Sequence, residues 1–415
     1  MSKWETNLKR LRLKRAIREP HNEDIRVLER NTLQPAAQNM IVSLSSEYCF
    51  VYDNEHLGPN LDLYLSFRSW DGDKFTCCCF VLPVLGAAER AWLERHVPPS
   101  ARSQATPETL LVVGGQSGRI RVLSVAEATE VLVLSHENGA PLSAEEALTK
   151  VKLVSGRSEM SIRSLSAHPS REGVFSSASG ASVCVWQLLR DHRAVQLLYR
   201  IRTEMTASLA LSTADLLFVA SQKPAEIREW SLKLEVPGPS LEGPDRGDSE
   251  ETLEPKTISD AESRLLATLS GTADVLRCGP RGLVVKSADA LRYLAYSDGA
   301  DLWKRLGKKE SLLKLPAGTM CGASIDIAID EGLANTDVDP GLVCVGTENG
   351  AIHVYRLENG EKVVSVSVPR LRHQMGGCAF GRNGESLVAA HAHLLYRFTS
   401  LAEDSASTES LTKSD

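Results

Sequence analysis

The chain has 415 residues, 42% of them apolar, and a formal net charge of −6. That length allows one large body with tails, and the negative balance gives no global electrostatic case for binding DNA. Nine cysteines stand singly or in the run Cys77-Cys78-Cys79, without CxxC pairs, which argues for a reducing compartment rather than a disulfide framework.

Residues 1–22 carry Lys3, Lys9, Arg10, Arg12, Lys14, Arg15 and Arg18 but lack the apolar stretch of a secretory signal. Trp4, Leu8 and Leu11 fall at helical spacing. The segment reads either as a solvated basic tail or as a basic helix that touches nucleic acid or an acidic partner, or serves nuclear import. From residue 40 a module recurs: an apolar strand, a tight polar turn, and a second strand ending near a large side chain. Its copies are MIVSLSSEYCFVYD at 40–53, LLVVGGQSGRIRVLSV at 110–125, GVFSSASGASVCVWQL at 173–188, LLFVASQKPAEIREWSL at 216–232, GLVVKSADALRYLAY at 282–296, GLVCVGTENGAIHVYRL at 341–357 and ESLVAAHAHLLYRFTSL at 385–401. Leu110 to Val113 is continuously apolar, as in a strand buried on both faces. Beyond it Ile120 and Val122 alternate with Arg119 and Arg121, and Gly114, Gly115 and Gly118 are read as freeing the turn between them.

Between the modules, AAERAWLERHV in residues 85–106 favours helix until Pro98 and Pro99 stop it. Residues 126–157 are read as an insertion with a short helix, AEEALTKVKL. Residues 234–262 are acidic and rich in Pro and Gly, a composition for a flexible loop. The Ser/Thr/Glu-rich stretch from Leu401 is read as a disordered tail. The longest apolar stretch, residues 75–88, is interrupted and too short to cross a bilayer.

The modules end near Tyr52, Leu123, Trp186, Trp230, Leu294, Tyr355 and Phe398. Trp186 to Trp230 and Tyr355 to Phe398 span about the 40–45 residues of a four-stranded propeller blade, and insertions absorb the longer intervals. Seven blades suit a closed ring, which leaves only short protected strand edges. The sequence thus predicts an all-β protein: a seven-bladed WD40-type β-propeller over residues 23–400, with short helical insertions and the 234–262 loop, flanked by the segment 1–22 and a disordered tail at 401–415. Aromatics at 5% of residues are sparse for such a ring.

No convergent reactive set is legible. His391 and His393 share a strand face without two further ligands at matching heights. The three adjacent cysteines alternate faces, so they read as small apolar packing residues. The Gly-Gly of VVGGQSG precedes no helix and cannot cradle a phosphate. The expectation is a protein without catalytic residues, metal or cofactor.

Taken in order, the modules resemble the embryonic ectoderm development or extra sex combs family of WD-repeat proteins. The likeness rests on DKFTCCCFV at 73–81 leading into LLVVGGQSGRIRVLSV, and on SIRSLSAHP at 161–169. It continues through the Asp274-x-x-Arg277 start of ADVLRCGPRGLVVKSADALRYL at 273–294, GTENGAIHVYRL, and CAFGRNGESLVAAHAHLLYRF. It covers roughly residues 40–400. The resemblance implies a noncatalytic, nuclear core subunit of Polycomb repressive complex two, with a SET-domain histone methyltransferase subunit and other Polycomb subunits as partners. In that family an aromatic cage on one face reads trimethyl-lysine of a histone tail, because aromatic faces attract a quaternary ammonium.

Phe75 stands where the family has a cage tyrosine, and Asp274 matches a rim acid of the family. Ala323 and Ser324 stand near its Trp-Tyr pair, and Asp326 replaces an arginine. DIRVLER at 24–30 is what lies near the expected phenylalanine. One aromatic wall cannot enclose a methylammonium, so histone-tail reading reduces to a residual site at Phe75 and Asp274. Phe75 reads equally as an aromatic that packs a blade. No membrane partner is expected, and direct nucleic-acid contact is expected only through the basic N-terminus. The alternative reading is a WD-repeat adaptor of another nuclear assembly: a ubiquitin-ligase substrate receptor, or a subunit of an RNA-processing or origin-associated complex.

Overall fold

A computed structural model describes residues 3–19, 21–33, 40–54, 61–82, 84, 95–96, 110–149, 160–189, 194–234, 255–259, 262–269, 271–279, 282–287, 290–295, 310–314, 325–327, 341–347, 350–368, 375–381 and 384–400. The module repeats because each copy forms the second and third strands of one four-stranded antiparallel blade. Blade three is representative: Ile162–Ala167, Val174–Ser179, Ser182–Leu188 and Val195–Arg202 pair in sequence order. The remaining blades are built alike around the central hairpins Met40–Leu44/Tyr48–Asp53, Leu110–Gly115/Arg119–Ser124, Leu216–Ser221/Glu226–Ser231, Gly282–Ser287/Ala290–Ala295, Leu342–Gly346/Ala351–Arg356 and Ser386–His391/Leu394–Thr399. The seven innermost strands are Val27–Arg30, Phe75–Val81, Ile162–Ala167, Thr206–Leu211, Ala273–Gly279, Asp326–Ile327 and Gly377–Phe380. Each packs on its two neighbours, and the first packs on the last, so the ring is closed.

The central hairpins are apolar on both faces because each blade is covered on both sides. Among the described residues the core divides into seven apolar clusters, one at each junction of adjacent blades. The large side chains at the module ends serve these junctions. Trp186 Nε1 donates to Ser177 Oγ at 2.8 Å, and that hydroxyl lies 2.9 Å from Nδ1 of His136, which comes from the loop of the preceding blade. Tyr52, Ser43 and His21 form the same kind of string in blade one, at 3.2 and 2.9 Å. Burial pushes both histidines down to about 4, so each is neutral at physiological pH and can accept a hydroxyl proton.

The glycines of blade two have two roles. Gly118 alone of the three takes a left-handed φ, +85°. Gly114 and Gly115 are strand residues that permit close approach. A Cβ on Gly114 would lie 2.6 Å from Cγ2 of Ile162 in blade three, and one on Gly115 would lie 2.0 Å from Oδ2 of Asp73.

Of the two forms that the sequence allowed for the N-terminal segment, the helix is the one seen, over Lys3–Arg10, and residues 3–18 dock on the ring, so the propeller takes in a strand ahead of the expected start at residue 23. Helix α1, Lys3–Arg10, buries Trp4 and Leu8, together with Leu11, in the junction of blades six and seven. The Trp4 ring meets Phe380 edge-on at 5.5 Å. Arg12–Arg18 then pairs antiparallel with Leu394–Thr399 as the outermost strand of blade seven. Among the described residues the C-terminal part of the chain supplies three strands to that blade, and the fourth comes from the other end.

Two insertions also contribute strands. Thr129–Ser135, inside the expected 126–157 insertion, is the fourth strand of blade two, and the short Ala140–Pro141 pairs outside it as a fifth. The expected helix follows as α2, Ala144–Leu148, fixed by a Ser143/Glu146 capping box. Lys256–Ile258, at the end of the 234–262 segment, pairs in parallel with Val195–Arg202 as a fifth strand on blade three. Residues 235–254 of that loop lie outside the described residues, as do the 401–415 tail and nearly all of residues 85–106.

Candidate functional site: the central channel

Because every blade repeats the same strand order, the inner strands start at one rim of the ring and finish at the other. Near the finishing rim they surround a cavity of about 220 Å³, lined among others by Glu29, Arg30, Cys79, Arg277 and Asp326. Two ion pairs cross this space. Glu29 of blade one pairs with Arg277 of blade five, which is not its neighbour in the ring. Arg30 of blade one reaches Asp326 of blade six, Nε to Oδ2 at 2.8 Å, and its Nη2 donates to the Ile327 carbonyl at 3.0 Å. The same Asp326 oxygen accepts the Phe380 backbone N–H of blade seven at 2.8 Å. One carboxylate therefore ties three blades together.

Burial raises the Glu29 carboxyl, with the Arg277 guanidinium opposing. Burial alone would lower Arg277, but Glu29 and then Asp326 outweigh it and hold the guanidinium charged. The two acids and two bases neutralise one another pairwise, so the channel offers no surplus charge to a ligand. The lining thiol Cys79 is equally unsuited to reaction, because burial pushes it well above the ordinary thiol range, and Cys77, in the junction of blades two and three, is pushed up to about 12; both are packing residues. Among the described residues no three His, Cys, Asp or Glu side chains are grouped to hold a metal ion.

Phe75 and Asp274 stand at the opposite rim, near the starts of the inner strands of blades two and five. Phe75 is four residues before Cys79, about 13 Å along the strand. It is 3% exposed and belongs to the apolar junction of blades one and two, with Val51 and Leu111. In this position the ring packs a blade and shows no face to solvent. Asp274 is half-buried on a non-adjacent blade. Ala323 and Ser324 lie outside the described residues. Asp326 is part of the channel bracing, and DIRVLER supplies Glu29 and Arg30 to that bracing. The signal for this role was two adjacent charges, Glu29-Arg30, continuing the apolar Val27-Leu28 strand.

A second buried charge carries a test. Glu229, in the third strand of blade four, is fully buried, and neither carboxylate oxygen has a hydrogen-bond partner among the described residues. It shares a strand face with Ile227, which packs toward blade five. Burial raises its carboxyl to about 7, with Arg264 opposing. Between the ordinary carboxylate value and 7 the native state keeps a proton that the unfolded chain has released. Stability from this group is therefore greatest at low pH, falls as pH rises through that window, and levels off above it. The loss amounts to about 3 kcal/mol. Glu229→Gln is expected to remove this slope, so that urea unfolding at pH 5 and pH 8 shows variant and wild type converging at pH 5 and the variant ahead at pH 8. Parallel pH profiles for the two proteins would exclude an ionisable role for Glu229.

The decisive observation for the fold is the closed ring of seven repeated sheets. The chain is a seven-bladed WD40-type β-propeller. Compared with known proteins, it matches no family model and no curated protein. No helix among the described residues is long and apolar enough to cross a membrane.

Proposed function

We propose that this propeller is a noncatalytic WD-repeat scaffold, and specifically a subunit of a Polycomb-type histone methyltransferase complex in the nucleus that holds the SET-domain catalytic subunit. The observation that supports a scaffold is the channel. Its four charged side chains are spent on bracing blades one, five, six and seven, which leaves the rims and outer edges as the surfaces available to partners. The finer reading rests on the ordered run of family-like motifs across residues 40–400. Trimethyl-lysine reading is weak or absent on this account, because Phe75 is committed to blade packing. The second reading, an adaptor of another nuclear assembly, is favoured by that same missing cage.

The test is purification of a tagged full-length protein from its native cells, with partners identified by mass spectrometry. A SET-domain methyltransferase recovered in stoichiometric amount is the expected result. Recovery of ubiquitin-ligase or RNA-processing subunits without one would support the second reading, and recovery of cytosolic machinery alone would overturn both.

A further inference from the structure

The docking of residues 3–18 turns a run of basic side chains into a fixed stripe. Lys9 and Arg10 close helix α1, and Arg12, Lys14, Arg15 and Arg18 follow along the outermost strand of blade seven. Lys9, Arg10, Arg12, Arg15 and Arg18 are exposed, while Leu13 and Ile17 turn partly into the blade. Lys9, Arg10, Arg12 and Arg18 have no carboxylate partner among the described residues; Arg12 donates only to the Leu11 carbonyl, at 2.8 Å. A register shift between Leu13 and Arg15 breaks strict alternation, so cations emerge on both sides of the strand and along its edge. The stripe is also an electrostatic exception. Residues 1–19 hold seven Lys or Arg against two Glu in a chain whose net charge is −6.

We infer that this edge of blade seven binds the phosphate backbone of duplex DNA without reading its sequence. Arg supplies four of the six cations from Lys9 to Arg18, and its planar fork matches phosphate oxygens. The strand from Arg12 to Arg18 extends about 20 Å, so its charges form a row rather than a point. A single-stranded ligand would call for aromatic stacking platforms, and residues 9–18 contain none. A membrane surface would call for exposed apolar anchors, and Leu13 and Ile17 are turned inward. Charged side chains also guard strand edges against unwanted pairing, but one or two suffice for that. The inference is independent of the Polycomb reading, since any nuclear or cytosolic scaffold could use it.

The experiment is fluorescence anisotropy of a labelled 20-base-pair duplex of random sequence, titrated with the full chain at several salt concentrations. Four to six phosphate contacts predict a log–log salt slope between about −3.6 and −5.4, hence a loss of roughly 10²–10³-fold in affinity from 50 to 200 mM salt. Replacing Lys9, Arg10, Arg12 and Arg18 together by Gln is expected to flatten the slope by about 3.6, with the thermal midpoint unchanged. Should that variant fail to fold, Arg10→Gln and Arg18→Gln singly are each expected to reduce the slope by about 0.9. Absence of salt-dependent binding at 50 mM, tighter binding to single-stranded RNA or anionic vesicles, or single and quadruple variants that bind like wild type would each overturn the assignment.

Discussion

Deleting residues 1–18 is expected to abolish the single cooperative unfolding transition of the full chain. The deletion removes the outermost strand of blade seven and three apolar side chains, Trp4, Leu8 and Leu11, each at most 5% exposed. Truncating buried side chains of this size costs about 2–5 kcal/mol apiece, against a total stability of about 5–15 kcal/mol for a native protein. The sum is enough to unfold the ring or to leave it open.

The opening has a predictable place. Leu394–Thr399 would become an unpaired edge, and the junction of blades six and seven around Phe380 and Met375 would be exposed. Both features favour aggregation. Thermal melts and limited proteolysis check this: the truncated chain is expected to melt at least 10 °C lower, or to show no transition, with cleavage beginning in blade seven. A synthetic peptide of residues 1–18 is expected to restore part of the midpoint by adding the strand back in trans. An unchanged midpoint after truncation would show that the helix and strand are accessory to the ring.

The repeat was legible because burial on both faces of each blade imposes the same apolar hairpin seven times, a pattern that needs no partner residue to be seen. Contacts between distant segments left weaker marks. Trp4, Leu8 and Leu11 announced a helix, but the groove they fill is made by residues more than 300 positions away, and the surrounding cations masked the apolar stripe. The Arg12–Arg18 strand hid for the same reason, since an outer strand facing solvent can be polar throughout. Alternation misled in blade two. Arg121 occupies a polar place in the pattern, yet it is 4% exposed, pairs with the fully buried Asp71, and reaches Glu130 at 2.5 Å. The candidate site divided along similar lines. Phe75 and Asp274 were identified through likeness to a family, and the ring separates them. Glu29, Arg30, Arg277 and Asp326 converge only through closure, which no local pattern encodes.

Arg277→Met is expected to be the most damaging single change in the channel. It leaves Glu29 without its guanidinium in a space walled by inner strands. Leaving a buried charge uncompensated costs about 3–5 kcal/mol. Glu29→Gln should cost less, because Asp326 also acts on Arg277 and keeps partial compensation in place. The double variant, Glu29→Gln with Arg277→Met, removes both charges and is expected to lie nearer the wild type than the sum of the singles, with a coupling of about 1–3 kcal/mol. The pH dependence gives an independent readout. Without Arg277, burial acts on Glu29 unopposed by its closest cation, so its folded-state value rises further above the unfolded one. The Arg277→Met protein is therefore expected to regain stability as pH falls and Glu29 is protonated, and to lose it as pH rises through the folded value, while the double variant shows no such trend. Guanidinium chloride unfolding at pH 5 and pH 8 measures all four proteins. Additive costs, or a single variant within about 1 kcal/mol of wild type, would mean that the cross-channel pair is solvated and does not brace the ring, since exposed ion pairs contribute that little.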